Sequence, residues 1–87
     1  MEKKFSKEEI RTVLIEMVAA KFGVNYEDIH PGSSFTANLG ADSLDLVEMV
    51  MSLEKTFGLT IPDGDTQRFK TVGDVIGYLE VRLDAQE

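Results

Sequence analysis

Cysteine is absent from this chain, and histidine occurs once, at His30 before Pro31. Those two facts remove most side-chain chemistry. Disulfides, thiolate metal sites and a cysteine nucleophile are excluded. A serine hydrolase would have only His30 as its base. Asp63-Gly64-Asp65 opens like a calcium loop, but counting from Asp63 puts Arg68 where an EF-hand needs glycine and Asp74 where it needs a bidentate glutamate. No metal site is expected. One hydroxyl remains of interest, that of Ser43 beside Asp42. A serine at a helix start can cap it through its own oxygen. Asp42 can do that instead, with Asp45 completing a capping box. In that case the Ser43 hydroxyl is free at the positive end of the helix dipole, where a phosphate group is stabilised. The residues alone leave both arrangements open.

The helix that would carry Ser43 starts near Asp42 or Ser43 and runs to Phe57, with Gly58 as its stop. At 100° per residue, Leu46, Met49, Val50, Leu53 and Phe57 fill one arc and form a core face. Leu44 and Met51 lie seven residues apart and stack on another arc, with Val47 between the two. Asp45, Glu48 and Glu54 surround that pair. Single exposed apolar residues are ordinary. The same pattern suits a helix offered to a partner with an apolar groove and a basic rim. The net charge of −7 repels a nucleic-acid backbone, so DNA and RNA are set aside. It favours a basic partner, although acidity also keeps a small protein soluble.

The elements around this helix follow from caps and periodicity. Ser6-Lys7-Glu8-Glu9 fits a capping box. Ile10, Val13, Leu14, Met17 and Val18 then recur at helical spacing, and Gly23 can end the helix after Phe22. Residues 24–42 make a connection longer than the usual limit of about 12–15 residues, and such loops are often functional. Val24, Ile29, Phe35 and Leu39 are expected to pin it down, with a brief helical turn at residues 25–28. Leu59-Thr60-Ile61-Pro62 reads as extended, because a residue before proline avoids the helical region. A short helix is expected over residues 63–69, weakened by Gly64. Thr71-Val72-Gly73-Asp74 is a third capping box, followed by the stripe Val72, Val75, Ile76, Leu79 and Leu83. Residues 1–87 thus read as one all-α domain. It is a small four-helix bundle with three longer helices, a short third helix and a long first loop. No apolar run approaches the roughly 20 residues of a membrane span. Met1-Glu2-Lys3-Lys4-Phe5 has no apolar stretch behind it to make a signal peptide. A cytoplasmic protein is expected.

The stretch Leu39-Gly40-Ala41-Asp42-Ser43-Leu44-Asp45 resembles acyl carrier proteins of the dissociated, bacterial-type fatty acid synthases. Their motif is Asp-Ser-Leu at the head of the second helix. Val47-Glu48-Met49-Val50-Met51, Leu53-Glu54, Phe57 and Ile61-Pro62-Asp63 extend the likeness, which covers nearly the whole chain. The resemblance implies that Ser43 is esterified with 4'-phosphopantetheine from coenzyme A by a phosphopantetheinyl transferase (a holo-acyl carrier protein synthase). The arm's thiol would carry acyl groups as thioesters between enzymes of fatty acid or related lipid biosynthesis. By the same resemblance, Asp42, Leu44, Asp45, Glu48, Met51 and Glu54 dock basic patches on synthase enzymes or acyltransferases. Phe35, Leu53, Ile61, Phe69, Val75 and Leu79 would line the acyl-chain pocket.

On this reading the chain is a monomeric carrier and no enzyme. Its rivals are a carrier for polyketide, aminoacyl or specialised lipid cargo, and a helical adaptor without a prosthetic group. Lys55, Arg68 and Lys70 dilute the second acidic cluster common in the family. They leave the partner set, the cargo and the pathway open.

Overall fold

Each of the three long helices begins where a side chain and a backbone N–H exchange hydrogen bonds. In the computed structural model, which describes residues 5–85, Ser6 and Glu9 cap α1 (Lys7–Phe22), Asp42 and Asp45 cap α2 (Ser43–Phe57), and Thr71 and Asp74 cap α4 (Val72–Arg82). These reciprocal bonds satisfy donors that every helix start leaves open. Gly23 and Gly58 end the first two helices at φ +67°. There the N–H groups of Val24 and Leu59 reach back to the carbonyls of Ala19 and Glu54, the left-handed closure that glycine adopts without a side-chain clash.

The third helix, α3 (Asp63–Thr66), is a single turn. It is shorter than the span of residues 63–69 expected from the sequence. Its continuation is diverted: Phe69 turns into the core at 6% exposure, and the Lys70 N–H bonds the Asp74 carboxylate at 3.0 Å. The last helix also ends earlier than its apolar stripe, at Arg82, with half-buried Leu83 as its cap.

The core lies where α1 meets α4 and α2. Ile10, Leu14 and Val18 from α1, Leu53 from α2, and Val72, Val75 and Leu79 from α4 are fully enclosed. Val13 and Met17 are only half-buried, whereas Ile15, outside the expected stripe, is buried.

The long connection is packed, as its apolar pins predict. Ile29 and Phe35 are buried, Val24 and Leu39 half-buried, and Tyr26–Asp28 forms one 3₁₀ turn. It is also stitched to the start of α4. The N–H groups of Val72 and Gly73 donate to the carbonyls of Ser33 and Pro31, at 3.0 and 2.7 Å, and Phe35 N–H donates to Lys70 O at 3.1 Å. An antiparallel bridge pairs Ser34 with Thr71, and no strand is present among the described residues. No helix among them is long and apolar enough to cross a membrane. The amino-terminal stretch read for a signal peptide lies, apart from Phe5, outside the described residues.

Candidate functional site

Asp42 is the residue that caps α2. Its Oδ1 accepts from the Asp45 N–H at 2.9 Å, and Asp45 Oδ2 accepts from the Asp42 N–H at 3.1 Å. The cap is held from behind by Ala41, which is buried and donates its N–H to Phe35 O at 2.8 Å. Ser43 therefore takes the first helical position with its hydroxyl exposed and, among the described residues, without a hydrogen-bond partner. The N–H groups of Ser43 and Leu44 have no partner inside the helix either, as first-turn donors do not. The arrangement combines a free hydroxyl, open donors and the positive end of a 15-residue helix.

Ser43 also stands at the edge of a cavity of about 320 Å³ between α2 and the segment that follows it. One wall is the α2 side chains Leu46, Val47, Val50 and Met51; the other is Ile61, Asp63, Thr66 and Phe69. The volume is at the small end of sites that take organic ligands. Of the six residues expected around a cargo chain, Ile61 and Phe69 border this cavity. Phe35, Leu53, Val75 and Leu79 are in the closed core, each at 1% exposure or less. Leu46 and Val50, assigned to the core face by their spacing, are half-buried: they pack against the core and also border the cavity.

The far wall is tied by polar contacts. Ile61 N–H donates to Glu54 Oε2 at 2.8 Å. Tyr78 OH donates to Asp65 Oδ2 at 2.6 Å, and Arg82 donates both to Tyr78 OH and, at 2.7 Å, to Thr60 O. Phe69 meets the Tyr78 ring edge-on, with centroids 5.1 Å apart. Burial, and then the hydrogen bond to Asp65, push the Tyr78 hydroxyl pKa up.

Leu44 and Met51 are 63% and 61% exposed, and Val47 joins them at 56%. The three form an apolar ridge along α2. Its acids are not equivalent. Asp42 is used as a cap. Glu54 is half-buried and holds Ile61. Glu48 accepts from Lys21 at 2.8 Å, and Asp45 lies 3.9 Å from the same ammonium. The bond to Glu48 holds the Lys21 pKa above its ordinary value. Lys21, Leu46 and Val50 are the site features that spacing along one helix did not reveal. Lys55 is exposed beside this face, while Arg68 pairs with Asp65 at 3.6 Å. Among the described residues, no group of three or more carboxylates and histidines gathers to hold a metal.

Residues 12–79 match the family described as "Phosphopantetheine attachment site", a range that includes Ser43 and the cavity. A protein of Exiguobacterium sp. named "Acyl carrier protein" is 46% identical over 78 residues, covering 90% of this chain and 99% of that one. The chain belongs to the acyl carrier protein family, whose members are carriers built around a phosphopantetheine attachment site.

Proposed function

We propose that Ser43 is the attachment point of 4'-phosphopantetheine, transferred from coenzyme A, and that the chain shuttles acyl groups between enzymes of fatty acid or related lipid biosynthesis. The observation that carries this reading is the uncommitted Ser43 hydroxyl at the head of α2, beside the apolar cavity. The residues present fit the group. Asp42 takes over the capping role, the hydroxyl faces solvent where a transferase can reach it, and the open N–H groups of Ser43 and Leu44 suit a phosphodiester. When bound, the arm supplies a terminal thiol for thioester carriage, a function no side chain of this cysteine-free chain provides.

The ridge of Leu44, Val47 and Met51, flanked by Asp45 and Glu48, is the docking face for a transferase and for acyl-handling enzymes with basic patches. Charges on such a rim act mainly on encounter rate and salt sensitivity, which suits a shuttle that must release each partner. Ile61, Phe69, Leu46 and Val50 shelter the cargo, and the chain works as a cytoplasmic monomer. The experiment is intact-mass measurement after incubation with coenzyme A and a phosphopantetheinyl transferase. One added phosphopantetheine on the parent and none on Ser43→Ala supports the assignment. No addition to a folded, initially unmodified parent refutes it and favours the adaptor reading.

A further inference from the structure

Lys21 and Glu48 are 27 residues apart in the chain and 2.8 Å apart in the fold. Resting on the reading of α2 as the docking face, we infer that Lys21 is a specificity-determining residue that competes with a partner's cation for Glu48. Lys21 lies in the last turn of α1, where a cation is favoured by the helix dipole. The same ammonium lies 3.9 Å from Asp45 Oδ1. Asp45 and Glu48 are three residues apart and so share one edge of α2, the edge beside the apolar ridge. An arriving lysine or arginine must therefore take Glu48 from Lys21 or share it. Asp42 and Glu54 are each engaged within the chain through one carboxylate oxygen, as the helix cap and as the acceptor of the Ile61 N–H, but neither pairs with a cation of this chain as Glu48 does among the described residues. Partners that rely on the Leu44, Val47 and Met51 ridge lose little from this competition. Partners that rely on a basic contact at Glu48 lose most. The free chain is thereby biased toward partners of the first kind.

The experiment measures kcat and KM of a holo-acyl carrier protein synthase on apo parent, Lys21→Gln, Lys21→Arg and Glu48→Gln across a salt series. Arg11→Gln removes the same unit of charge from an exposed position on α1 and serves as the control. Lys21→Gln is expected to raise kcat/KM by about 2- to 5-fold at low salt, the range of a surface ion pair, with the change in KM. The gain should shrink as salt rises. Lys21→Arg should behave as the parent, and Lys21→Gln combined with Glu48→Gln should match Glu48→Gln alone. A Lys21→Gln effect no larger than that of Arg11→Gln overturns the inference, because only net charge then matters. A rise in KM for Lys21→Gln also overturns it, by making Lys21 a contact. If Glu48→Gln leaves KM and its salt slope unchanged, the docking reading of α2 fails as well. Melting curves of each variant by circular dichroism verify the fold.

Discussion

Replacing Glu54 asks whether this acid is held back by the fold or offered to a partner. Its Oε2 accepts the Ile61 N–H at 2.8 Å, and Ile61 is itself 4% exposed. Glu54→Ala removes the acceptor and leaves a backbone donor unsatisfied in a partly buried place. Hydrogen bonds to charged groups contribute about 1.5–3 kcal/mol, and half-exposure of Glu54 argues for the lower part of that range, about 1.5–2 kcal/mol. In a domain of this size each kcal/mol moves the melting temperature by about 4–8 °C. Glu54→Ala is therefore expected to melt roughly 5–15 °C below the parent. Glu54→Gln keeps a carbonyl oxygen at the same reach and should lose less than half as much. Thermal melts by far-ultraviolet circular dichroism decide it. A Glu54→Ala variant melting within about 2 °C of the parent, or a Glu54→Gln variant as unstable as the alanine one, would refute the reasoning.

Capping makes a paired prediction: Asp42→Ala costs about 1 kcal/mol in urea unfolding, whereas Ser43→Ala changes stability by only a few tenths. Equal losses would mean that Ser43 shares the cap. A methyl group on Gly73 would stand 2.9 Å from Pro31 O, the acceptor of the Gly73 N–H. Gly73→Ala should thus destabilise the chain by about 1–3 kcal/mol, and a neutral result in the same assay would show that the loop yields freely. The Thr71 N–H, and to a lesser extent the Lys70 N–H, hold the Asp74 pKa below the ordinary carboxylate value. A depressed folded pKa gives stability that is present above the unfolded value and lost as pH falls through the folded one. The stability gap between parent and Asp74→Asn should accordingly be full at neutral pH and narrow as pH falls below the ordinary carboxylate range, and a gap that widens on acidification would contradict this. Tyr78→Phe removes the donor to Asp65 and should speed amide exchange at Arg68 and Phe69 by about 2- to 10-fold, leaving Leu14 and Val18 in α1 unchanged. Acceleration throughout the chain would mean that Tyr78 supports global stability instead.

What was legible in the sequence was local. A capping box spans only four residues, so Ser6 and Thr71 mark two long helix starts with no knowledge of the tertiary structure, and Asp42 and Ser43 mark the third while leaving open which of them is the cap. Gly23 and Gly58 marked two ends for the same reason. Helical periodicity grouped Leu46 and Val50 with Met49 and Leu53, since it reports which residues share a face. It does not report whether that face meets packed core or a cavity, which depends on where residues 59–69 cross it. The third helix is shorter than its sequence suggests because its end is set by Phe69 burial and by the Lys70–Asp74 bond. Lys21 gave no signal, because its partners are on another helix. Glu54 looked like its neighbours on α2 until the fold brought Ile61 to it.

The two walls of the cavity differ in how much buried surface holds them. The α2 wall is continuous with the closed core through Met49, Leu53 and Phe57, which are 5% exposed or less. The opposite wall is held both by the burial of Ile61 and Phe69, at 4% and 6% exposure, and by outer polar ties from Glu54 to Ile61, Tyr78 to Asp65 and Arg82 to Thr60. Moving the first wall would expose apolar surface and disturb packing with α1, at a cost that grows with every buried group. Moving the second exchanges those polar bonds for bonds to water, at a net cost of about 0.5–1.5 kcal/mol each, and uncovers Ile61 and Phe69, fewer buried side chains than the first wall carries with it. Because the second wall carries fewer buried side chains, displacing residues 59–69 opens the space between α2 and α3 at less cost than moving α2 against α1. Ser43 and Leu44 stand on the α2 side of the cavity, so on the proposed reading the attachment point and the head of the docking face keep their places when residues 59–69 move.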